Sequence, residues 1–137
     1  HTLEFEIQID TMDTGGFGTD DFSLSFLTND PPYPNFQIGF AKNGVYIYDG
    51  SSFTQLGSVI LSTGSYQKWK VVNTSTGAST STCELFLETG GAYVSQGTVN
   101  CTYGIDTPLS ALRFSYQSKS LTTATELHMK NIKLSYV

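Results

Sequence analysis

The feature that most constrains this chain is the period of its apolar residues. Leu3-Glu4-Phe5-Glu6-Ile7-Gln8-Ile9-Asp10 alternates apolar and polar at every step, which sorts the two kinds onto opposite faces of an extended strand. Phe22 to Phe26 repeats the pattern with Ser on the second face. Phe36-Gln37-Ile38-Gly39-Phe40 and Val45-Tyr46-Ile47-Tyr48 do so again around Lys42-Asn43-Gly44. An Asn-Gly pair between two alternating runs is the strongest short-range signal for a hairpin. Further extended segments follow at Thr54 to Leu61, Tyr66 to Asn73, Cys83 to Glu88, Tyr93 to Ser95, Leu109 to Tyr116 and Thr125 to Tyr136, with a second hairpin turning at Gly90-Gly91. About ten short strands at 8–12-residue spacing, with no helical stretch to carry crossovers, predict an all-β, antiparallel two-sheet sandwich. The 137 residues suit one such domain, 1–137, with no internal repeat or linker.

Composition narrows the class. Only 14% of residues are charged while 13% are aromatic, which argues against disorder and against a helical bundle. No apolar run reaches the roughly 20 residues of a membrane helix. A net charge of −5 opposes both nucleic-acid binding and attraction to an anionic membrane. The chain opens at His1 inside the first strand pattern and so reads as a module of a larger, exported protein. Cys83 and Cys101 are expected to pair as a disulfide in a secreted β domain, closing a loop of roughly 17 residues and contributing about 3 kcal/mol. Two buried free thiols are the alternative. The triplets Asn73-Thr74-Ser75 and Asn100-Cys101-Thr102 match the N-glycosylation sequon, a match that chance readily supplies in a chain with 16 Ser and 18 Thr.

The order of these segments resembles a known family. A strand Leu3–Asp10, a Phe/Leu strand at 22–26, and Ile38-Gly39-Phe40 leading through Asn43-Gly44 to Tyr46-Ile47-Tyr48-Asp49-Gly50 are followed by Tyr66-x-x-Trp69-Lys70-Val71 and a terminal Leu127-x-x-x-Asn131-Ile132-Lys133-Leu134. This pattern looks like the concanavalin A-like jelly roll, in the laminin-G-like form found as carbohydrate-binding modules of polysaccharide-degrading enzymes. The resemblance implies a sandwich whose concave sheet or edge loops bind a glycan, and it implies that Trp69 packs inward. The jelly-roll glucanases of similar fold carry a Glu-x-Asp-x-x-Glu strand that is missing here.

A catalytic reading finds little in the residues. The two histidines are His1 and His128, and neither sits in a recognisable nucleophile or zinc motif. The alternating glutamates Glu4/Glu6 and Glu84/Glu88 read as solvated strand faces. A non-enzymatic binding role is therefore expected, with an adhesive or protein-interaction sandwich, such as a laminin-G-like domain or a receptor-binding tip, as the alternative.

Sugar binding calls for exposed rings to stack on C–H faces, with polar groups to hold the hydroxyls. Strand parity sets Tyr46 and Tyr48 opposite Val45 and Ile47, so these tyrosines form the expected stacking strip. Parity likewise places Gln37, Lys70, Arg113, Gln117 and His128 opposite apolar neighbours, with Lys130 beside them. Gathered on one face they would make a positive groove suited to an acidic polysaccharide. Tyr33, within Pro31-Pro32-Tyr33-Pro34, and Phe17, between two glycines, are further stacking candidates. Finally, Asp10, Asp13, Asp20 and Asp21 flank a Gly-rich loop and supply the hard oxygen ligands of a structural Ca²⁺. In related sandwiches such an ion ties this loop to the last strand, where the expected carboxylate position is Lys130.

Overall fold

The computed structural model describes residues 1–11, 20–27, 34–41, 43–56, 64–77, 80–102, 111–118 and 126–135; at 10–11, 20–27, 34–36 and 111–118 the description is of the backbone. It holds ten strands: β1 (Thr2–Thr11), β2 (Asp20–Leu27), β3 (Pro34–Ala41), β4 (Gly44–Tyr48), β5 (Phe53–Leu56), β6 (Gln67–Gly77), β7 (Thr80–Thr89), β8 (Ala92–Cys101), β9 (Ala111–Ser118) and β10 (Glu126–Ser135). They form two antiparallel five-stranded sheets. Sheet 1 has the order β10-β1-β6-β7-β8 and sheet 2 the order β5-β4-β3-β2-β9. The all-β sandwich expected from the alternation is thus the observed fold.

Each alternating run does what its period dictates. In β1, Leu3, Phe5, Ile7 and Ile9 are at most 2% exposed while the residues between them are half-buried. Trp69, Val71 and Leu85 continue that inner layer across β6 and β7. Ile38, Phe40, Val45, Ile47 and Leu56 form the facing layer on sheet 2. Phe5 and Phe40 meet across the layers edge to face, their centroids 5.5 Å apart at 81°, a geometry that aligns a ring edge with a π face. Trp69, fully buried as expected, leaves its indole N–H without a partner among the described residues.

The turns follow their residues. Thr89 pairs directly with Ala92, so Gly90 and Gly91 must both adopt positive φ, 63° and 86°, as a type I′ turn requires. At the Asn-Gly hairpin the turn sits one residue upstream of expectation: Ala41 pairs with Gly44, which opens β4 instead of closing the loop. β8 runs much further than the Tyr93 to Ser95 segment seen in the sequence, because a bulge between Leu85 and Phe86 resets its register and hides its alternation.

Two further ties add to the ladders, the first extending the β1–β6 pairing of sheet 1 and the second linking the two sheets. The His1 ammonium donates to the Asn73 carbonyl at 2.9 Å, and the Asn73 amide donates to the His1 carbonyl at 2.8 Å. In the second, Thr102, just past β8, donates from its amide (2.8 Å) and its hydroxyl (3.1 Å) to the Asp49 carbonyl after β4. This joins one edge of sheet 1 to the outermost turn of sheet 2.

The disulfide expected between Cys83 and Cys101 is not formed; both are buried free thiols. The register explains why. Cys83 lies opposite Val99 and Cys101 opposite Ser81, so the cysteines are diagonal neighbours. Such pairs stand about 7–8 Å apart, beyond the roughly 4.4–6.8 Å Cα spacing that a disulfide spans. Burial pushes the Cys83 thiol well above its ordinary pKa, and the neighbouring Cys101 adds to the shift, so this sulfur has little thiolate character.

Candidate functional site

The two sheets present very different outer faces. On sheet 1, positions 4 and 6 of β1 alternate with the core residues and carry glutamates. Glu4 pairs in register with Lys133 on one side and Lys70 on the other, and Glu6 with Lys130 and Lys68. Lys68 reaches Glu88 on β7 at 3.2 Å, and Lys130 reaches Glu6 at 3.4 Å. The Asn131 amide donates to Glu6 at 2.6 Å; this bond, aided by Lys130, holds the Glu6 carboxyl below its usual range despite some desolvation. Asn131 reaches it from the left-handed region at φ 53°, where Asn is more tolerant than most residues, within a bulge opposite Phe5.

Aromatic rings also face the cations of this sheet. The Lys70 ammonium stands 4.4 Å from the Phe86 centroid and 4.4 Å from that of Tyr93. Lys130 lies 3.8 Å over Tyr66. Burial, and then the charge on Glu4, raise the Tyr93 phenol above its usual range, since both disfavour a phenolate. His128 contacts Glu126 at 3.1 Å on the same side of β10. This face is a ladder of charges and rings in which Lys68, Lys70, Lys130 and His128 all have partners.

On sheet 2 the outer face carries rings, amides and hydroxyls. Its middle row can be read strand by strand. Phe53 pairs with Tyr48; Ile47 pairs with Ile38, which brings Tyr48 and Gln37, one step further on, level with each other; Gln37 pairs with Ser25, and Ser25 with Arg113. Two rings, an amide, a hydroxyl residue and an arginine position therefore share one register row across all five strands, about 19 Å at the usual strand spacing. The Tyr48 and Phe53 rings are 5.3 Å apart and tilted by 51°, and the Tyr48 hydroxyl donates to the Gly50 carbonyl at 3.0 Å. Both rings are half-buried, held in place yet with surface to offer.

The adjoining row runs from Gln55 through Tyr46, Gly39 and Ser23 to Ser115. Tyr46 is only 9% exposed, so the expected two-ring strip is reduced to Tyr48, and its neighbour Phe53 completes the aromatic pair instead. The Tyr46 hydroxyl lies 2.9 Å from Asn43 Oδ1 and 3.3 Å from Gln55 Oε1, and Gln55 Nε2 donates to the Asn43 carbonyl at 2.8 Å. This network sits against Gly44, where a Cβ would meet Gln55 Nε2 at 2.7 Å. Tyr46 thus braces the hairpin beside the row. Beyond Tyr48 the Asp49 carboxylate accepts from the Ser51 amide (2.7 Å), the Ser52 amide (2.8 Å) and the Ser51 hydroxyl (2.9 Å). Those backbone and side-chain donors lower its pKa to about 2.

The predicted site residues are accordingly divided. Gln37, Tyr48 and the Arg113 position share the middle row, and Tyr46 flanks it. Gln117 is in register with Asp21 at the end of β9. Lys70, His128 and Lys130 belong to sheet 1, so the single positive groove expected from strand parity is not assembled. Tyr33 and Asp13 lie outside the described residues, as do the side chains of Asp10, Asp20 and Asp21. Among the described residues no group of three His, Cys, Asp or Glu is placed to hold a metal.

Phe53, Ser25 and Gln55 were not singled out in the sequence. Extending the Thr54 to Leu61 segment back by one residue sets Phe53 in phase with Gln55, which is the signal that would have found both. No protein-family model matches the chain, and no curated protein matches it.

Proposed function

We propose that the chain is a non-catalytic carbohydrate-binding module that holds a parent, polysaccharide-acting protein on its substrate outside the cell, with the outer face of sheet 2 as its binding surface. The observation that carries this reading is the middle row: the paired Phe53 and Tyr48 rings in register with Gln37, Ser25 and Arg113. Rings stack on the C–H face of a sugar, while amide, hydroxyl and guanidinium groups serve its hydroxyls. The anchored Tyr48 hydroxyl and the braced Tyr46 keep the platform pre-organised, which lowers the entropy lost on binding. Tethering of this kind raises the local concentration of enzyme sites on a polymer without contributing chemistry of its own.

Affinity electrophoresis through gels containing individual polysaccharides tests the reading. Retardation by at least one glycan, reduced roughly fivefold or more in Tyr48→Ala through loss of about 1 kcal/mol of stacking, is the expected result. Migration unaffected by any polysaccharide in a broad panel contradicts it.

A further inference from the structure

We infer that the glycan is uncharged, a conclusion that rests on the binding surface proposed above and specifies its ligand. The argument is a partition of charge. All five glutamates of the chain, and four of its six lysines, stand on the strands of sheet 1, on the face turned away from the core. Four lysines against five glutamates and Asp10 of β1 leave the strands of sheet 1 at −2. The three remaining cations, Lys42, Arg113 and Lys119, stand against six aspartates, so the rest of the chain carries −3 of the total −5.

The lysines best placed to attract a polyanion are therefore on the wrong side of the molecule, and three of the four are engaged there. Lys68 and Lys130 hold glutamates at 3.2 and 3.4 Å. Lys70 lies between two rings, each 4.4 Å away. A polyanion drawn to them would have to break those contacts and meet the glutamates alternating with them. On sheet 2, a chain laid along the middle row meets one cation, at the Arg113 position. A single cation across five strands gives little hold on a uronate or sulfate repeat, whereas rings, amides and hydroxyls suit a neutral sugar.

The test compares polysaccharides of both kinds, with xylan, mannan and mixed-linkage β-glucan as neutral probes and polygalacturonate, alginate and heparin as acidic ones. Binding to a neutral probe, with affinity changing less than about twofold between roughly 50 mM and 0.5 M NaCl, is expected, because no charge pair is there to be screened. Lys70→Gln and Lys130→Gln should leave that affinity unchanged. Binding confined to acidic probes, weakening tenfold or more over the same salt range and lost in the lysine variants, overturns the inference while leaving glycan binding intact. Absence of binding to every probe overturns this inference and the proposed function together.

Discussion

The two outer faces are built on the same backbone plan and solved in opposite ways. Sheet 1 keeps its outer face in water with Lys and Glu, and on β1 each glutamate faces lysines across the strand gaps, as Glu4 faces Lys70 and Glu6 faces Lys68. Cross-strand pairs of this kind add a little stability each and fix register. Sheet 2 has no glutamate or lysine on its described strands and instead sets Tyr48, Phe53, Gln37 and Gln55 around glycine and serine positions. One face meets its own electrostatic needs; the other leaves polar and aromatic groups that a neutral, hydroxyl-rich partner can use. On the proposed function, the low charge of this face serves a neutral ligand as a cluster of charges would serve a charged one.

The largest expected effect separates inside from outside on a single strand. Trp69→Ala should cost about 3–5 kcal/mol and lower Tm by roughly ten degrees or more, because Trp69 is fully buried against the Phe5 layer. Lys70→Ala, one residue along, should leave the cooperative transition nearly in place when both are followed by calorimetry. Similar losses at the two positions would mean that the outer ladder of sheet 1 is structural in a way that its exposure does not suggest.

Next in size is the contrast between aromatic residues on the two faces. Tyr48→Ala should weaken glycan retention roughly fivefold, while Tyr93→Ala on sheet 1 should leave it unchanged, with both variants checked for folding by near-ultraviolet circular dichroism. The reverse result would move the site to the other face.

A smaller effect appears with pH, with one carboxylate on the outer face of sheet 1 and one in the turn after β4. Asp49 and Glu6 both have native pKa values below their ordinary ones. Between those values and the ordinary carboxylate range the unfolded chain binds more protons, so each group stabilises above that range and loses its contribution as pH falls. For Asp49 the loss runs from about pH 4 down to about 2. Its partners are backbone amides and serine hydroxyls, so the step should persist in high salt and vanish in Asp49→Asn. The Glu6 step owes part of its size to Lys130 and should shrink as salt rises. Denaturant titrations at low and high salt from pH 6 to 2 would show it.

The smallest effect is at Lys68. Its pair with Glu88 is largely exposed, so Lys68→Gln should barely move Tm and should not touch glycan retention.

How far the sequence could be read follows from what period-two patterns encode. Parity distinguishes the inner from the outer face of a strand, which is why the core positions of β1 and the apolar sides of β3 and β4 were legible from alternation, while the burial of Trp69 was implied by the jelly-roll resemblance. Parity carries no information about which sheet a strand joins. Lys70 and Arg113 give the same signal, yet β6 pairs with β1 and β7 while β9 pairs with β2. Those pairings are set by contacts between residues far apart in the chain, and the positive groove dissolved with them. Register hid two further points. The Cys83–Cys101 offset depends on the bulge-shifted pairing of β7 and β8, and the covering of Tyr46 depends on Asn43 and Gln55 reaching it from the hairpin and from β5. Asp49 carries no signal of its own in the sequence, because the serine donors that hold it ionised become partners only once the turn closes.

The most direct test of the central claim is a backbone amide NMR titration of the chain with a neutral oligosaccharide drawn from whichever polysaccharide retards it. The account predicts shifts concentrated at Gln37, Tyr48, Phe53 and their neighbours on β3, β4 and β5, with the amides of β6, β7 and β8 around Lys70, Phe86 and Tyr93 unmoved. Shifts centred on that second group, with sheet 2 silent, would contradict it.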